Sequence, residues 1–188
     1  LITDLRRIPD MLVTTTWDAR LRPPSSWDAT ANLEVSTVSS PKQEADLFYE
    51  LSRQADSILV IAPEFEDLLA QRCRMVESLA DSRLCGCSSH AVRLCADKLT
   101  LAEQLISAGI ETIPTTLFDP TDPGPAYPFL VVVKPRNGAG SQFTFRIDRP
   151  AELKACAAEI AATAEGTEFI QQPFVSGIAA SAARLALT

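Results

Sequence analysis

Hydrophobic and polar residues in the first half of the chain alternate between extended and helical patterns. Three apolar runs predict strands: Met11–Thr16, Leu33–Val38 and Ser57–Ala62. Ser40, Pro41 and Gln43 predict a helix start, because a cap residue is followed by proline and by a polar partner at capping-box spacing. Pro63 and Glu64 open the next predicted helix. Strands that alternate with helices favour a parallel sheet covered by helices, which is a Rossmann-like α/β half-domain.

A second group of elements begins near Cys95. Asp97–Ala108 has the apolar face of an amphipathic helix, and Gly109 ends it. A further helix starts at Asp148 and Pro150. The strands predicted in this half are Ile113–Phe118, which Pro114 breaks, Phe129–Lys134, Phe143–Ile147 and Glu168–Val175.

Composition and charge exclude several classes of protein. The 188 residues include 17 Lys+Arg and 24 Asp+Glu, a net charge of −7, with no basic stripe of the kind that nucleic-acid binding needs. The longest apolar runs are far shorter than the roughly 20 residues of a membrane span. The basic start at Arg6 and Arg7 leads into no hydrophobic signal region. We therefore expect a globular protein with neither nucleic-acid nor membrane partners.

The cysteines indicate a compartment and raise one alternative function. Five cysteines, an odd number, are atypical of a secreted disulfide framework and favour a reducing cytoplasm. Four residues that can bind a metal are clustered, at Cys85, Cys87, His90 and Cys95, so a zinc or redox domain is an open alternative, although the spacing differs from paired C-x2-C. His90 is the sole histidine, and its position at a helix start favours a capping or surface role.

Glu64 follows a predicted strand, where sites of α/β proteins tend to lie. It could contact a substrate there. It could equally be a first-turn carboxylate that the helix dipole favours. Both interpretations remain open.

The clearest chemistry lies in the segment V-V-V-K-P-R-N-G-A-G-S-Q-F-T-F, which predicts a strand, a tight glycine turn and a second strand. Gly138 and Gly140 let main-chain N–H groups approach a ligand, and such turns form anion-binding concavities. Lys134 adds a cation and Ser141 a hydroxyl. This combination suits a polyphosphate. The alternative is an ordinary surface hairpin with an exposed lysine.

Three other nucleotide-binding patterns do not fit the segment. A Walker A loop places Lys after its glycines and leads into a helix. A dinucleotide fingerprint needs a third glycine where Phe143 stands. A protein kinase needs its glycine loop before the lysine and a later H-R-D, whereas His90 is followed by Ala-Val.

Several motifs, taken in order, resemble the ATP-grasp ligases. They are Asp97-Lys98, G-I-x-T-I-P at 109–114, V-V-K-P at 132–135, N-G-A-G-S-Q at 137–142 and F-I-Q-Q-P-F-V-S-G at 169–177. In the first half, A-D-S-I-L-V-I-A-P-E at 55–64 and G-C-S-S-H-A-V-R-L-C-A-D-K at 86–98 are similar to the branch that includes the tyramine–glutamate ligase of methanofuran biosynthesis.

The resemblance implies a fold and a domain organisation. We expect an α/β chain in which a Rossmann-like pre-ATP-grasp half-domain, residues 1–94, precedes the first α+β subdomain of an ATP-grasp fold, residues 95–188. The nucleotide would bind to the second part.

The resemblance also implies which residues bind the nucleotide. Lys98 and Lys134 would contact its phosphates, with Lys134 also near the adenine. A mobile loop would close over the β- and γ-phosphates: Asn137, Gly138, Ala139, Gly140, Ser141 and Gln142. A hinge strand would read the adenine edge and cover its face: Gln172, Pro173, Phe174 and Val175.

The implied activity is an ATP-dependent, Mg²⁺-assisted ligation. A carboxylate, such as that of an amino acid, would be activated as an acyl phosphate and attacked by an amine. No residue of this chain is assigned as a metal ligand or as catalytic. A non-catalytic module that binds ATP or ADP is the alternative function.

Two departures from the family pattern shape further expectations. The ribose-binding Glu that often follows the hinge is absent from Ile178-Ala179-Ala180-Ser181. The Mg²⁺ ligands of the family, an acidic residue and a later Glu-x-Asn, would lie beyond Thr188. We therefore expect a fragment that does not turn over alone. The missing lobe would leave apolar surface near the hinge, which predicts self-association or marginal stability.

Overall fold

The computed structural model describes residues 1–27, 32–63, 66–79, 83–164, 166–178 and 180. The described helices are α1 Ile2–Leu5, α2 Pro41–Ser52, α3 Leu68–Glu77, α4 Ser89–Ala96, α5 Lys98–Ser107 and α6 Pro150–Thr163. The described strands are β1 Val13–Asp18, β2 Leu33–Val38, β3 Thr116–Phe118, β4 Val131–Pro135, β5 Phe145–Ile147 and β6 Phe169–Pro173. Within the described ranges, no helix has both the length and the apolar character needed to cross a membrane.

The chain divides into two units, Leu1–Pro63 with Leu68–His90 and Glu64–Asp67 with Ala91–Thr188. The first unit contains a parallel pair of strands. The pairing of β1 with β2 extends from Val13 and Leu33 to Asp18 and Val38. The predicted β2 is confirmed, and β1 lies two residues later than predicted, since Met11 and Leu12 come before the first pair. The predicted parallel pairing is confirmed.

The predicted start of α2 is also confirmed, and Ser40 and Gln43 form capping hydrogen bonds there. The Ser40 hydroxyl accepts a hydrogen bond from the Gln43 N–H at 3.2 Å, and the Gln43 side-chain oxygen accepts one from the Ser39 N–H at 2.8 Å. These two bonds satisfy main-chain donors that the helix itself leaves unpaired. An ion pair between Arg72 and Glu44 then joins α3 to α2.

The strand predicted at Ser57–Ala62 is wrong. Among the described residues, the run pairs at Ile58 alone, in an isolated parallel bridge with Leu84. Leu59 is 46% exposed and Ile61 is 75% exposed, so the run is not buried on both faces. Apolar side chains favour a strand only where a neighbouring strand offers hydrogen bonds, and the described part of the chain offers this run one bridge.

The following helix begins later than predicted. Glu66 and Asp67 have φ values of 52° and 61°, and α3 starts at Leu68 rather than at Pro63 and Glu64. Left-handed backbone cannot belong to a right-handed helix, so the two residues delay the helix start.

The second unit contains a four-stranded antiparallel sheet in the order β3-β6-β4-β5. Helix α6 covers one face. The core between them consists of residues from the sheet and from α6: Phe118, Val131, Val133, Ile147, Leu153, Cys156, Ala157, Ile160, Ala164 and Phe169. β3 covers Thr116–Phe118, so the predicted strand at Ile113–Phe118 is formed only after the break predicted at Pro114, which offers no N–H to a ladder.

The opposite face of this sheet carries Lys134. Side chains alternate along β4, so Val131 and Val133 face the α6 core and Val132 and Lys134 point the other way. Cross-strand partners share a face, and this side, called the lysine face below, consists of Val132, Lys134, Arg146, Ile170 and Gln172.

The α6 core offers a direct test of this packing. Leu153 is 1% exposed, and Leu153→Ala should cost about 2–5 kcal/mol of unfolding free energy through lost burial and the cavity that remains. Urea unfolding measures the change. The control, Lys154→Ala, removes an exposed side chain of the same helix and should change stability by less than about 0.5 kcal/mol. A Leu153→Ala loss within the control's range would contradict the assigned core.

Candidate functional site

Lys134 is a half-buried ammonium near the end of β4. Its Nζ forms no hydrogen bond or ion pair with any residue that the structure describes. Burial lowers the pKa of Lys134, and the positive charge of Lys98 lowers it further. The Lys134 charge is therefore opposed by a second cation and has no carboxylate partner among the described residues. An arrangement of this kind favours an anionic ligand.

Lys98 is the first residue of α5 and contacts the segment after β4. Its main-chain N–H donates to the Arg136 carbonyl at 3.1 Å. Its Nζ donates to the Gly138 carbonyl at 2.8 Å and to the Arg136 carbonyl at 3.3 Å. Lys98 therefore holds the segment that follows Lys134.

That segment, called the glycine loop below, spans residues 136–144 between β4 and β5. The predicted order of strand, turn and strand is confirmed, but the connection is nine residues long rather than a tight turn. Gly138 and Gly140 have φ values of 97° and 78°, and Ser141 and Phe143 are left-handed too. A Cβ added at either glycine would meet nothing within 4 Å, so the backbone conformation, rather than space, calls for glycine.

The start of the glycine loop offers unpaired donors. The main-chain N–H groups of Asn137, Gly138 and Ala139 donate no hydrogen bond to any described residue. Asn137 and Ala139 are exposed. These donors follow Lys134 closely in the chain, so an anion held by the lysines would be within reach of the amides.

An ion pair between Asp97 and Arg136 joins the two lysine-bearing elements. Arg136 Nε and Nη2 donate to the two Asp97 carboxylate oxygens at 2.8 and 2.6 Å. The same carboxylate caps α5 by accepting from the N–H groups of Leu99 and Thr100, both at 3.1 Å. Arg136 also donates to Glu168 at 3.1 Å.

The pair shifts the protonation of both groups. Hydrogen bonding by Arg136 holds the pKa of Asp97 well below its usual value, against the opposing effect of burial. The Asp97 hydrogen bonds raise the pKa of Arg136 in turn. The pair therefore remains charged across the physiological pH range.

Sequence reasoning did not identify Asp97 and Arg136 as partners. Asp97 has the residue type and position of a helix cap, and Arg136 follows the Lys-Pro motif. The cap position was the available signal. The pairing of residues 39 positions apart depends on how the sheet places β4 beside the start of α5.

The predicted hinge begins on β6, beside the strand that carries Lys134. Gln172 is on the lysine face, and its Nε2 donates to Thr115 Oγ1 at 2.7 Å. β6 ends at Pro173, but the Phe174 N–H still donates to the Leu130 carbonyl at 3.0 Å. Phe174 is 37% and Val175 63% exposed, so both offer apolar surface.

Other predicted residues lie apart or outside the description. Glu64 and two of the four post-hinge residues, Ala179 and Ser181, lie outside the described residues. His90 is exposed, which confirms its predicted surface position, and Cys85, Cys87 and Cys95 are exposed free thiols. Across the described ranges, no group of three or more His, Cys, Asp or Glu side chains could hold a metal ion.

Comparison with protein families finds one match, which lies in the first half of the chain. Residues 11–92 match the pre ATP-grasp 3 domain. No match was found among curated protein sequences.

Solved structures resemble most of the chain. The L-amino acid ligase from Bacillus licheniformis has a TM-score of 0.60 and 19% identity over 87% of this chain and 38% of its own. The D-alanine–D-alanine ligase from Bacillus anthracis has a TM-score of 0.57 and 16% identity over 77% of this chain and 47% of its own.

A third similar structure holds a nucleotide. It is the biotin carboxylase domain of 2-oxoglutarate carboxylase from Hydrogenobacter thermophilus, in complex with MgADP, ADP and bicarbonate, at a TM-score of 0.57 and 17% identity over 77% of this chain and 35% of its own. This chain thus spans less than half the length of each of the three.

These comparisons confirm the predicted fold class. The chain is an α/β protein in which a Rossmann-like pre-ATP-grasp half-domain is followed by the first α+β subdomain of an ATP-grasp fold.

Asp97 allows a pH-dependent test of the site's framework. Because its folded pKa lies below the ordinary 3.8, the pair stabilises the fold above that pH, and the stabilisation is lost as the pH falls below about 4. Asp97→Ala should cost about 2 kcal/mol at pH 7, because it removes both the cap and the ion pair.

Asp97→Asn separates the two contributions, since an amide still caps the helix but carries no charge. Urea unfolding at pH 7 and at several values between 4 and 2 should show the Asp97→Asn deficit shrinking with acidity. A deficit that stays constant over this range would mean that the charge of Asp97 does not stabilise the fold.

Proposed function

We propose that this chain is the nucleotide-binding part of an ATP-dependent carboxylate–amine ligase. Residues 1–94 would be its pre-ATP-grasp domain and residues 95–188 its first ATP-grasp subdomain. The observation that carries the proposal is the half-buried Lys134 ammonium, which lies near Lys98 and has no partner among the described residues. Removing a charge from water costs free energy, and a phosphate ligand would offset that cost.

In this proposal the two lysines and the glycine loop hold the phosphates. Lys134 supplies a point charge from the sheet. Lys98, whose Nζ now contacts the Gly138 carbonyl, supplies a second charge at the loop. Further donors are the N–H groups of residues 137–139, which bond to no described residue, and the exposed side chains of Ser141 and Gln142. The loop would cover the β- and γ-phosphates.

The hinge would hold the base. Gln172 and Pro173 lie beside β4, and Phe174 and Val175 follow with exposed apolar side chains. An extended segment offers main-chain N–H and C=O groups that suit the edge of an adenine ring, and apolar side chains suit its face. Gln172 is fixed by its hydrogen bond to Thr115, which restricts the shape of this end of the site.

The reaction would proceed in two transfers. A carboxylate oxygen attacks the γ-phosphorus of ATP, the bond to the bridging oxygen breaks, and ADP leaves. An amine then attacks the carbonyl carbon of the acyl phosphate, and inorganic phosphate leaves with formation of an amide bond. The lysines would neutralise charge that develops on the phosphates.

Magnesium would supply further charge neutralisation when bound. The described residues do not fit a Mg²⁺ site, since they offer no cluster of three acidic ligands. We therefore assign no step of the reaction to metal ligands of this chain.

The substrate class follows the similar ligases, two of which act on amino acids by name. We propose an amino acid carboxylate and an amine, with the tyramine–glutamate type as the most specific candidate and Glu64 as a candidate substrate contact. We further propose a cytoplasmic protein that self-associates through the apolar surface near the hinge.

A thermal shift tests nucleotide binding. ATP or ADP at 100 times its dissociation constant should stabilise the chain by about 2.7 kcal/mol and raise its Tm. Lys134→Ala should abolish the shift without lowering the Tm of the free chain, because burial disfavours this charge. Lys154→Ala, which removes an exposed lysine of α6, should keep the shift. An unchanged shift in Lys134→Ala would remove Lys134 from the site.

Product formation tests the ligase activity. The natural protein that contains this sequence should release ADP only when a matching carboxylate and amine are both supplied, with glutamate and tyramine as the first pair. ADP and amide should appear in equal amounts. Nucleotide binding without ADP release for any amino acid and amine pair would favour the non-catalytic binding module.

A further inference from the structure

Arg146 lies on the lysine face but has no role in the nucleotide site described above. Its cross-strand partner on β4 is Val132, and the partner of Val132 on β6 is Gln172. Because cross-strand partners share a face, Arg146, Val132 and Gln172 form one row across three strands.

The Arg146 side chain crosses this row. Its Cζ lies 4.7 Å from the centroid of the Phe174 ring, which follows β6. Since β4 lies between β5 and β6, the side chain must span β4 above Val132 to reach that ring. Its Nε donates to Asp148 Oδ1 at 2.8 Å, and the side chain remains 54% exposed. A flat cation is thus held over the sheet with surface left for a ligand.

The position of this row along β4 indicates which part of a nucleotide it would meet. Lys134 and the glycine loop lie at the carboxyl end of β4. Val132 lies two residues earlier, about 7 Å away at the rise of a strand. The row is therefore displaced from the lysines toward the hinge residues Gln172 and Phe174.

We infer, on the basis of the proposed function, that Arg146 is a nucleobase-binding residue. Its guanidinium stacks on Phe174 and forms a planar platform against which the adenine ring lies. A guanidinium is planar and weakly hydrated, and it stacks on aromatic faces in a way that an ammonium cannot. The hydrogen bond to Asp148 compensates part of its charge, which suits contact with a base better than contact with a phosphate.

Isothermal titration of the chain with AMP and with ATP tests this inference. Arg146→Ala should weaken both nucleotides by the same factor, on the order of 3- to 30-fold, because both share the base. Arg146→Lys keeps the charge without the plane and should weaken both similarly. Lys134→Ala should weaken ATP by a larger factor than AMP. Arg149→Ala, a matched control at an exposed arginine paired with Glu152, should change neither by more than about twofold.

The outcomes separate this inference from the proposed function. If Lys134→Ala weakens ATP while Arg146→Ala leaves both affinities unchanged, the base contact is wrong and the site stands. A loss in Arg146→Ala that is confined to ATP would make Arg146 a phosphate ligand. Full affinity in Arg146→Lys would mean that the charge of Arg146, not its planar shape, binds the nucleotide. Either result overturns the assignment of Arg146 as a planar platform for adenine. A wild-type chain that binds neither nucleotide overturns the proposed function itself. Equal thermal stability of Arg146→Ala and wild type excludes misfolding as the cause of a loss.

Discussion

The contact between Asp97 and Arg136 determines where the two lysines of the candidate site stand. One carboxylate caps α5 and accepts two hydrogen bonds from the guanidinium that follows β4. Lys98 begins that helix and Lys134 lies two residues before that guanidinium. This ion pair, together with the hydrogen bonds of Lys98 to the same segment, therefore fixes the relation between a helix start and a strand end. Charge-assisted, two-point hydrogen bonding is well suited to this, because it restrains orientation as well as distance.

The two lysines beside this ion pair differ in their hydrogen-bond partners. Arg136 is satisfied by Asp97 and Glu168, and Lys98 by the carbonyls of the glycine loop. Lys134 is half-buried without a partner among the described residues, and its charge is disfavoured. A fold that keeps such a group has an unfavourable local interaction in the free state, which a phosphate would relieve. This is the usual relation between a binding site and the stability of its framework.

The sheet organises the rest of the site by the alternation of its side chains. One face of β4 gives Val131 and Val133 to the α6 core, and the other presents Lys134. β5 and β6 add Arg146 and Gln172 to the same side. The residues that we assign to phosphates and to the base are thus separated along β4, with the glycine loop at one end and the hinge at the other.

The sequence by itself determined the features that depend on local chemistry. The capping contacts of Ser40 and Gln43, the start of α5 at Asp97 and the left-handed glycines after β4 all follow from a few neighbouring residues. The order of motifs was enough to predict the fold class, which the similar structures confirm.

The tertiary structure decided the features that depend on contacts between residues far apart in the chain. The apolar run at Ser57–Ala62 forms no strand, since the described residues give it a single bridge, at Ile58. The contacts of Arg136 with Asp97 and of Arg146 with Phe174 join residues that are 39 and 28 positions apart, a separation across which no local pattern carries information.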